Sequence, residues 1–566
     1  MWRNFKLLLG YNLRTVILFE VIYKLMTVLV FLPLLAEMFF VSMKITGYPY
    51  LAPNNIEGFL LNPIVWLMAI VAIIALTAFT VFDVATVIVI FDHSWHQHKI
   101  KLWQAVQISA QKLRGLINHR NILMPLVVLV LLPFVSVGFA FGINRHLALP
   151  EFIDNFIFSN PLLLALTILV ILVLTILLTR WMYAFHYYVL ENCDFKKARA
   201  KSRQLIKTHM VQDFGLILVV QVIYTIATII FTAILSLIAV PLTYALISER
   251  FYAHKKQKHE KILPCKSPST HQLSPKRRYA MIVVTIGALV VGGVIHYTIG
   301  SGKYLFVDAR TEPIEITAHR GFSSEYPENT MSAFRAAVEN GADCIELDVR
   351  QTKDHQIVVS HDSNTKRMTG VDKNIWETDY AELAQLDFGS KTDPKFAGEK
   401  IPLLSEVLEL ANKTGVHLNI EIKASDHDNG IEGRTIDLIR KYHQEQNSMI
   451  SSLNYDTLHT VKSIDSSIQT LYVMVFAYGD ISQIPDVDAY SIESTSISSK
   501  LVATTHAVGK PLVAWTADDE DTMQYLNVLG VDNVITNRLP LANDTLKNNP
   551  DPEADFWILM RHHFNF

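Results

Sequence analysis

Two histidine-containing tripeptides and an acidic strand between them are the residues of this chain best suited to chemistry. They read His319-Arg320-Gly321, Glu346-Leu347-Asp348 and Ser360-His361-Asp362. A third carboxylate follows in the stretch Glu421-Ile422-Lys423. Three carboxylates, two histidines, an arginine and a lysine are the groups that metal-assisted cleavage of a phosphate ester requires.

Short apolar strands alternate with helical patterns through the polar C-terminal part of the chain, from Pro313 onward. The strands are predicted to end near Ala318, Glu346, Glu421, Ser451, Val475, Ile492, Trp515 and Thr536. Each is followed by a helix-like stretch or by a loop long enough to hold one. The pattern predicts an α/β domain with the (β/α)8 TIM-barrel fold over residues 313–546. A turn-like segment at 353–356 predicts a hairpin extension of the second strand rather than a ninth barrel strand.

The carboxyl ends of barrel strands are where active sites form, and the chemical residues fall at those ends. Glu346 and Asp348 are two residues apart, so they point to the same face of the second strand. Glu421 and Lys423 do the same on the third strand. We therefore expect three carboxylates to converge on one point, as a hard cation such as Ca²⁺ or Mg²⁺ requires. Trp515 closes the seventh strand, where it is either barrel core or a wall of the substrate site.

The first 300 residues contain apolar runs long enough to cross a membrane, which takes about 20 residues for a hydrocarbon core of about 30 Å. The candidate spans are 14–40, 61–91, 122–143, 161–190, 214–247 and 279–300. Residues 1–300 are therefore predicted to form an all-α, multispan membrane domain. Two amphipathic stretches, 102–117 and 195–206, are expected to lie on the cytoplasmic membrane surface, with a generic solvated helix as the alternative.

Basic residues set the predicted orientation, because short loops rich in Lys and Arg stay in the cytoplasm. Segments 92–121 and 191–213 are rich in them, whereas 42–60 and 144–160 hold one each, Lys44 and Arg145. The basic linker 248–278 is also expected to be cytoplasmic. In that case the run 214–247 returns to the side it left, and the last span delivers the soluble domain outside the cell. If the run crosses once, the soluble domain is cytoplasmic; we favour the extracellular side.

Residues 314–545 resemble the glycerophosphodiester phosphodiesterases. The matching motifs, in the order of the family, are His319-Arg320-Gly321, Pro327-Glu328-Asn329-Thr330, Glu346-Leu347-Asp348, His361-Asp362, Pro402-Leu403-Leu404, Glu421-Ile422-Lys423 and Trp515-Thr516. The N-terminal half is similar to the multispan domain that precedes this catalytic domain in some bacterial members. The chain departs from the family pattern at Asn537, where an aspartate is common, and at Asp518, where an asparagine is common.

The resemblance implies a role for each matching residue. His319 and His361 correspond to the acid–base pair, Glu346, Asp348 and Glu421 to the metal ligands, and Arg320 and Lys423 to phosphate-binding cations. Beside these, Trp515 is predicted as a substrate-binding residue, with a place in the barrel core as the alternative. Histidines, with an unperturbed pKa of about 6.5, suit proton transfer near neutral pH. The implied reaction is the hydrolysis of a glycerophosphodiester to an alcohol and glycerol phosphate.

Two other functions remain open at this stage. One is a phospholipase-type or teichoic-acid-chain phosphodiesterase, which would act on intact lipids or on glycerol-phosphate polymers. The other is an inactive membrane lipid-binding scaffold, against which the intact set of histidines and carboxylates argues. The expected partners are a glycerol-phosphate-containing substrate and the lipid bilayer. A formal net charge of −3 gives no sign of nucleic-acid binding.

Overall fold

The structure is a computed structural model that describes residues 2–548 apart from several gaps. The gaps are 117–118, 122, 126, 129–160, 192, 217–218, 220–231, 266–273 and 301–312. Most of the predicted span 122–143, the loop 144–160, part of the run 214–247 and most of the predicted C-terminal tail, 547–566, lie outside the described residues.

The chain folds into two compact units. The first contains Met1–Ser42 and Pro63–Gly300, and the second contains Met43–Asn62 and Ser301–Leu559. The described helices of the first half of the chain are Trp2–Tyr11, Leu13–Met26, Leu32–Thr46, Ile56–Leu61, Pro63–Trp95, Leu102–Leu113, Pro161–Arg180, Ala184–Leu190, Phe195–Ile206, Thr232–Gln257 and Pro275–Gly300. A π-helical turn at Thr27–Phe31 joins the second helix to the third.

Three of the described helical segments are long and apolar enough to cross a membrane. They are Leu13–Thr46, Pro63–Trp95 and Pro161–Leu190, and they correspond to the predicted spans 14–40, 61–91 and 161–190. The predicted amphipathic stretches are helices at Leu102–Leu113 and Phe195–Ile206. Both bury their apolar residues in the core of the first unit, where Ala105 and Leu205 are fully buried.

The second unit contains all the strands found among the described residues. They are β1 (Tyr50–Leu51), β2 (Glu315–His319), β3 (Cys344–Gln351), β4 (Ile357–Val359), β5 (His417–Ile422), β6 (Ser448–Ser452), β7 (Gln469–Met474), β8 (Tyr478–Gly479), β9 (Ala489–Glu493), β10 (Leu512–Trp515) and β11 (Asn533–Thr536). Strands β2, β3, β5, β6, β7, β9, β10 and β11 pair parallel with one another, and the pairing of β2 with both β3 and β11 closes the sheet into a barrel. The predicted (β/α)8 fold is confirmed.

Strand β4 is the predicted hairpin extension of the second barrel strand. It pairs antiparallel with the end of β3, with Val349 opposite Val359. The longer helices that alternate with the barrel strands are Met331–Glu339, Leu404–Thr414, Ile431–Lys441, Tyr455–Ile464, Ser499–His506 and Glu520–Leu529, and the short helix Leu539–Ala542 follows β11. Strands covered by helices outside and side chains inside are buried on both faces, which explains their nearly continuous apolar sequences.

Candidate active site

Three buried carboxylates form the centre of the site. Glu346 and Asp348 lie on β3 and Glu421 lies on β5, and Asp348 pairs directly with Glu421 in the strand register. Each residue offers one oxygen, and these oxygens all lie within 4.8 Å of one another. The relative exposures of the three residues are 3%, 0% and 8%. The predicted convergence of the acids is therefore what the structure shows.

Lys423 and Arg320 face the carboxylates with positive charge. The Lys423 Nζ atom lies 2.6 Å from Glu421 Oε1 and 3.1 Å from Asp348 Oδ1. The Arg320 Nε atom lies 3.3 Å from Asp348 Oδ2. Burial alone would raise the pKa of Asp348, but the charges of Lys423 and Arg320 hold it well below its ordinary value.

Glu346 is the carboxylate that the two cations compensate least. Burial, followed by the charges of Asp348 and Glu421, raises the pKa of Glu346 well above its ordinary value despite Arg320 and Lys423. Ionised Glu346 is therefore costly while the cluster holds only protein charges. A divalent cation bound between the oxygens would favour the ionised form, so the residues present fit a hard, oxygen-binding metal ion.

A tight turn after β2 brings Arg320 to the acids. Arg320 and Gly321 both adopt left-handed backbone conformations, with φ of 58° and 81°. A Cβ atom at Gly321 would lie 2.8 Å from the Ala333 backbone, so only glycine fits there. The turn lets the Arg320 backbone N–H donate to Glu346 Oε2 at 2.8 Å, while Arg320 Nη1 donates to Glu328 at 3.0 Å.

His319 lies at the end of β2 beside Glu346. Its Nδ1–H donates to Asn537 Oδ1 at 2.8 Å, and its Nε2 lies 4.0 Å from Glu346 Oε2. Burial, and next the positive charge of Arg320, lower the pKa of His319 to about 4. A neutral imidazole with hydrogen on Nδ1 presents Nε2 as a proton acceptor, so His319 is arranged as a base.

His361 follows β4 and is oriented by its neighbours. Its Nδ1–H donates to Asp362 Oδ1 at 2.9 Å, which leaves Nε2 for proton transfer. Arg350 donates two hydrogen bonds to the His361 carbonyl, at 2.9 and 2.6 Å, and a third at 3.3 Å to the Lys423 carbonyl. Arg350 thereby ties the two segments that carry His361 and Lys423.

Trp515 lies at the end of β10, among the apolar side chains that fill the barrel. It packs against a cluster of Leu471, Ala489, Val513 and Ile535, and its Nε1–H donates to the Ser491 carbonyl at 3.2 Å. These contacts place Trp515 at the end of the barrel core. Its role as a substrate wall stays a prediction.

The sequence analysis gave no role to several residues that contact the site. Asn329 donates to Asp348 Oδ2 at 2.8 Å, and Arg367 pairs with both Glu328 and Asp362. Arg350 could have been found, because it continues the two-residue period of Glu346 and Asp348 along β3. Arg367 could not, since no periodicity connects its short helix, Lys366–Thr369, to the acids.

Two of the residues that depart from the family pattern, Asn537 and Asp518, contact each other behind His319. Asn537 donates its backbone N–H to Asp518 Oδ1 at 2.8 Å and its side-chain Nδ2–H to Asp518 Oδ2 at 2.5 Å. Asp518 thus orients the Asn537 amide so that its oxygen faces the His319 Nδ1–H. The pair therefore consists of one amide and one carboxylate.

This contact predicts strong coupling between the two positions. Asn537→Asp alone sets two carboxylates against each other and removes a charge-assisted donor, so kcat should fall about tenfold, which corresponds to about 1.4 kcal/mol of activation free energy. Asp518→Asn/Asn537→Asp restores a mixed pair and should recover most of that loss. Steady-state kinetics and thermal unfolding of the two single variants and the double variant measure the coupling. Independent, additive effects would contradict it.

A barrel whose rim holds clustered acids, two oriented histidines and two cations is a site for phosphate esters. Comparison with protein families agrees: residues 319–541 match the glycerophosphoryl diester phosphodiesterase family, and residues 1–253 match the membrane domain of glycerophosphoryl diester phosphodiesterase.

Individual relatives match the barrel. The chain is 37% identical over 227 residues to the glycerophosphodiester phosphodiesterase of Caldanaerobacter subterraneus subsp. tengcongensis, covering 39% of this chain and 93% of the relative. It is 33% identical over 228 residues to the putative glycerophosphodiester phosphodiesterase YhdW of Bacillus subtilis, covering 39% and 93%. It is 36% identical over 161 residues to lysophospholipase D GDPD1 of Homo sapiens, covering 27% of this chain and 50% of the relative.

A solved phosphodiesterase of Oleispira antarctica, in complex with sn-glycerol-3-phosphate, is 28% identical, with 42% of this chain and 98% of that chain covered and a TM-score of 0.38. The family matches and the curated relatives establish that the chain belongs to the glycerophosphodiester phosphodiesterase family, in a form with an N-terminal membrane domain. It is a phosphoric diester hydrolase.

Proposed function

We propose that the rim of the barrel hydrolyses a glycerophosphodiester to an alcohol and glycerol phosphate, with His319 and His361 as its acid–base pair. The observation that carries the proposal is the position of His319 next to the acidic cluster. Its Nε2 lies 4.0 Å from Glu346 Oε2, and its Nδ1 is held by Asn537. His319, neutral at physiological pH, takes a proton from the attacking water, whose oxygen forms the new P–O bond, and His361 gives a proton to the leaving alcohol as its P–O bond breaks.

Glu346, Asp348 and Glu421 would hold the metal ion, which we propose to be Ca²⁺ or Mg²⁺ because all three ligands are carboxylate oxygens. When bound, that ion supplies stabilisation of the negative charge on the phosphoryl oxygens. Arg320 and Lys423 would bind the same phosphoryl oxygens. Their side-chain nitrogens already lie within 3.3 Å of carboxylate oxygens of the cluster, next to the proposed metal position. Asn329 keeps Asp348 in place through its 2.8 Å hydrogen bond.

A substrate panel tests the reaction. Purified full-length protein in detergent is incubated with glycerophosphocholine, glycerophosphoglycerol and a teichoic-type glycerol-phosphate polymer, with and without chelator. We expect glycerol phosphate to be released from at least one of the two small diesters, and release to stop with chelator. Cleavage of none of these substrates, with or without Ca²⁺ or Mg²⁺, would contradict the proposal.

A second candidate, phosphodiester cleavage of a lysophospholipid, is favoured by one observation. The human relative at 36% identity is named a lysophospholipase D. Adding lysophosphatidylcholine to the panel separates the two, because that cleavage leaves lysophosphatidic acid, while glycerophosphocholine leaves glycerol phosphate. The preferred substrate is the one with the higher kcat/KM.

For location, we propose a multi-pass protein of the cell membrane whose catalytic barrel is extracellular. The charge pattern supports this side, since Lys and Arg concentrate in 92–121 and 191–213 and are sparse in 42–60. Protease added to intact cells should remove a C-terminal epitope tag. Protection of the tag until the cells are permeabilised would place the barrel in the cytoplasm instead.

A further inference from the structure

The barrel lacks one of its helices. Strand β7 is connected to β9 by residues 475–488, all of which the structure describes. That connection holds only β8 and the 3-10 turn Ile481–Gln483, whereas the other connections between barrel strands carry an α-helix. The outward side of β7 and β9 presents large apolar side chains, among them Tyr472, Met474 and Tyr490, which are all fully buried. Something other than a local helix must therefore help to cover them.

The segment Met43–Asn62, from the other end of the sequence, lies at this position. Its strand β1 pairs antiparallel with β8, with Leu51 opposite Tyr478 and Tyr50 opposite Gly479. Ala52 is fully buried in the same apolar cluster as Tyr472 and Tyr490, and Tyr50 packs against that cluster. Leu51 is also fully buried. The segment belongs to the same compact unit as the barrel.

Backbone-to-backbone contact fixes this pairing. The Asp480 N–H donates to the Pro49 carbonyl at 3.0 Å. Gly479 has φ of 81°, and a Cβ atom there would lie 2.4 Å from the Pro49 oxygen and 3.0 Å from Tyr50 Cα. No side chain fits between the two strands at this point, so glycine at 479 is what allows the segment to approach.

We propose that Met43–Asn62 is a structural part of the catalytic barrel and takes the place of its missing helix. The apolar helices Leu13–Thr46 and Pro63–Trp95 lead into and out of this segment. The barrel must then lie on the membrane face where the loop between those two spans emerges. Because that loop has one basic residue, Lys44, the face is the extracellular one. The inference that the barrel is extracellular rests on the location proposed above. The inference that the segment pairs with β8 does not.

A disulfide across the pairing tests both parts. Pro49→Cys and Asp480→Cys are introduced into the full-length chain with Cys193→Ser and Cys265→Ser, and a protease site is inserted within 266–273. Neighbouring residues of an antiparallel pair lie about 4.5–5.5 Å apart at Cα, within the range that a disulfide spans. After cleavage, the two fragments stay together on a non-reducing gel only when the disulfide has formed.

We expect the fragments to stay linked in intact cells without added oxidant, because disulfides form spontaneously outside the cytoplasm. The control pair Pro49→Cys/Val371→Cys, which uses an exposed residue of the β4–β5 connection, should not link. Linkage that needs a membrane-permeant oxidant would keep the pairing and overturn the extracellular side. Absence of linkage even with oxidant would overturn the pairing. Neither result depends on the substrate, so a failure of the proposed reaction is seen separately in the activity assay.

Two glycine substitutions, one of them a control, provide a second measurement. Gly479→Ala forces β1 away from β8, so the yield of the disulfide should fall about fivefold or more. Gly509→Ala is the matched control, because Gly509 has a similar φ of 72° but open space around it. It carries the same backbone strain without the clash, and the yield should stay unchanged. Equal losses in the two variants would show that strain alone, and not contact with the segment, explains the result.

Discussion

His319→Ala should lower kcat by about 10²–10⁴-fold, the usual contribution of a positioned general acid or base. KM should change little, because the side chain acts on the reacting proton, whereas Arg320 and Lys423 provide the charge that binds phosphate. His361→Ala should have an effect of the same size. The double variant should lose less than the product of the two factors, since the residues serve one reaction as a unit.

His459→Ala is the matched control for both histidine variants. His459 lies on the outer helix Tyr455–Ile464 with a side-chain exposure of 66%. Its replacement should leave kcat within about twofold of the parent, as expected for an exposed position away from the site. Thermal unfolding of all variants shows whether lost activity reflects lost structure. Full activity in His319→Ala would remove this residue from the mechanism.

Glu346→Gln should weaken binding of the divalent cation on the order of 100-fold or more, because even an outer partner of a metal ligand contributes about 10–100-fold. The variant keeps the size of the side chain and removes its charge. Activity should return only in part at high Ca²⁺ or Mg²⁺. Isothermal titration with the metal alone gives the affinity without relying on turnover.

Thermal stability provides a second, independent test of Glu346 as a metal ligand. Burial and the charges of Asp348 and Glu421 oppose ionisation of Glu346, so Glu346→Gln should raise the midpoint of thermal unfolding in chelator. With saturating cation the parent should have the higher unfolding midpoint, because it gains stability by binding the ion. Glu409→Gln, on the exposed face of Leu404–Thr414, should change neither value. Cation-independent stability in the parent would contradict the metal site.

Much of the barrel follows from local patterns in the sequence. The strand ends could be predicted because each buried strand is a short apolar run bounded by turn signals. The two-residue period then put Glu346 with Asp348, and Glu421 with Lys423, on common faces of their strands. The hairpin that carries His361 could be predicted for the same reason, since β3 and β4 flank one short turn.

Other parts of the site depend on contacts that have no local pattern. The left-handed turn at Arg320 is decided by the close approach of Gly321 to Ala333, which lies on a later helix. The hydrogen bond between Asn537 and Asp518 forms only because the ends of β10 and β11 lie side by side in the barrel. Strand β1 is two residues long, too short for a periodicity, and its partner Gly479 is more than 400 residues away. Long-range pairing of this kind cannot be read from hydropathy.

Release of glycerol phosphate by the purified full-length protein tests the central claim most directly. Glycerophosphoglycerol is supplied to the parent chain and to His319→Ala, each treated with chelator and then resupplied with Ca²⁺ or Mg²⁺. The parent should be inactive in chelator and recover on addition of the ion, while His319→Ala should stay about 10²-fold or more below it under both conditions. Equal release by the two proteins, or release that continues undiminished in chelator, would contradict a metal-assisted reaction with His319 as its base.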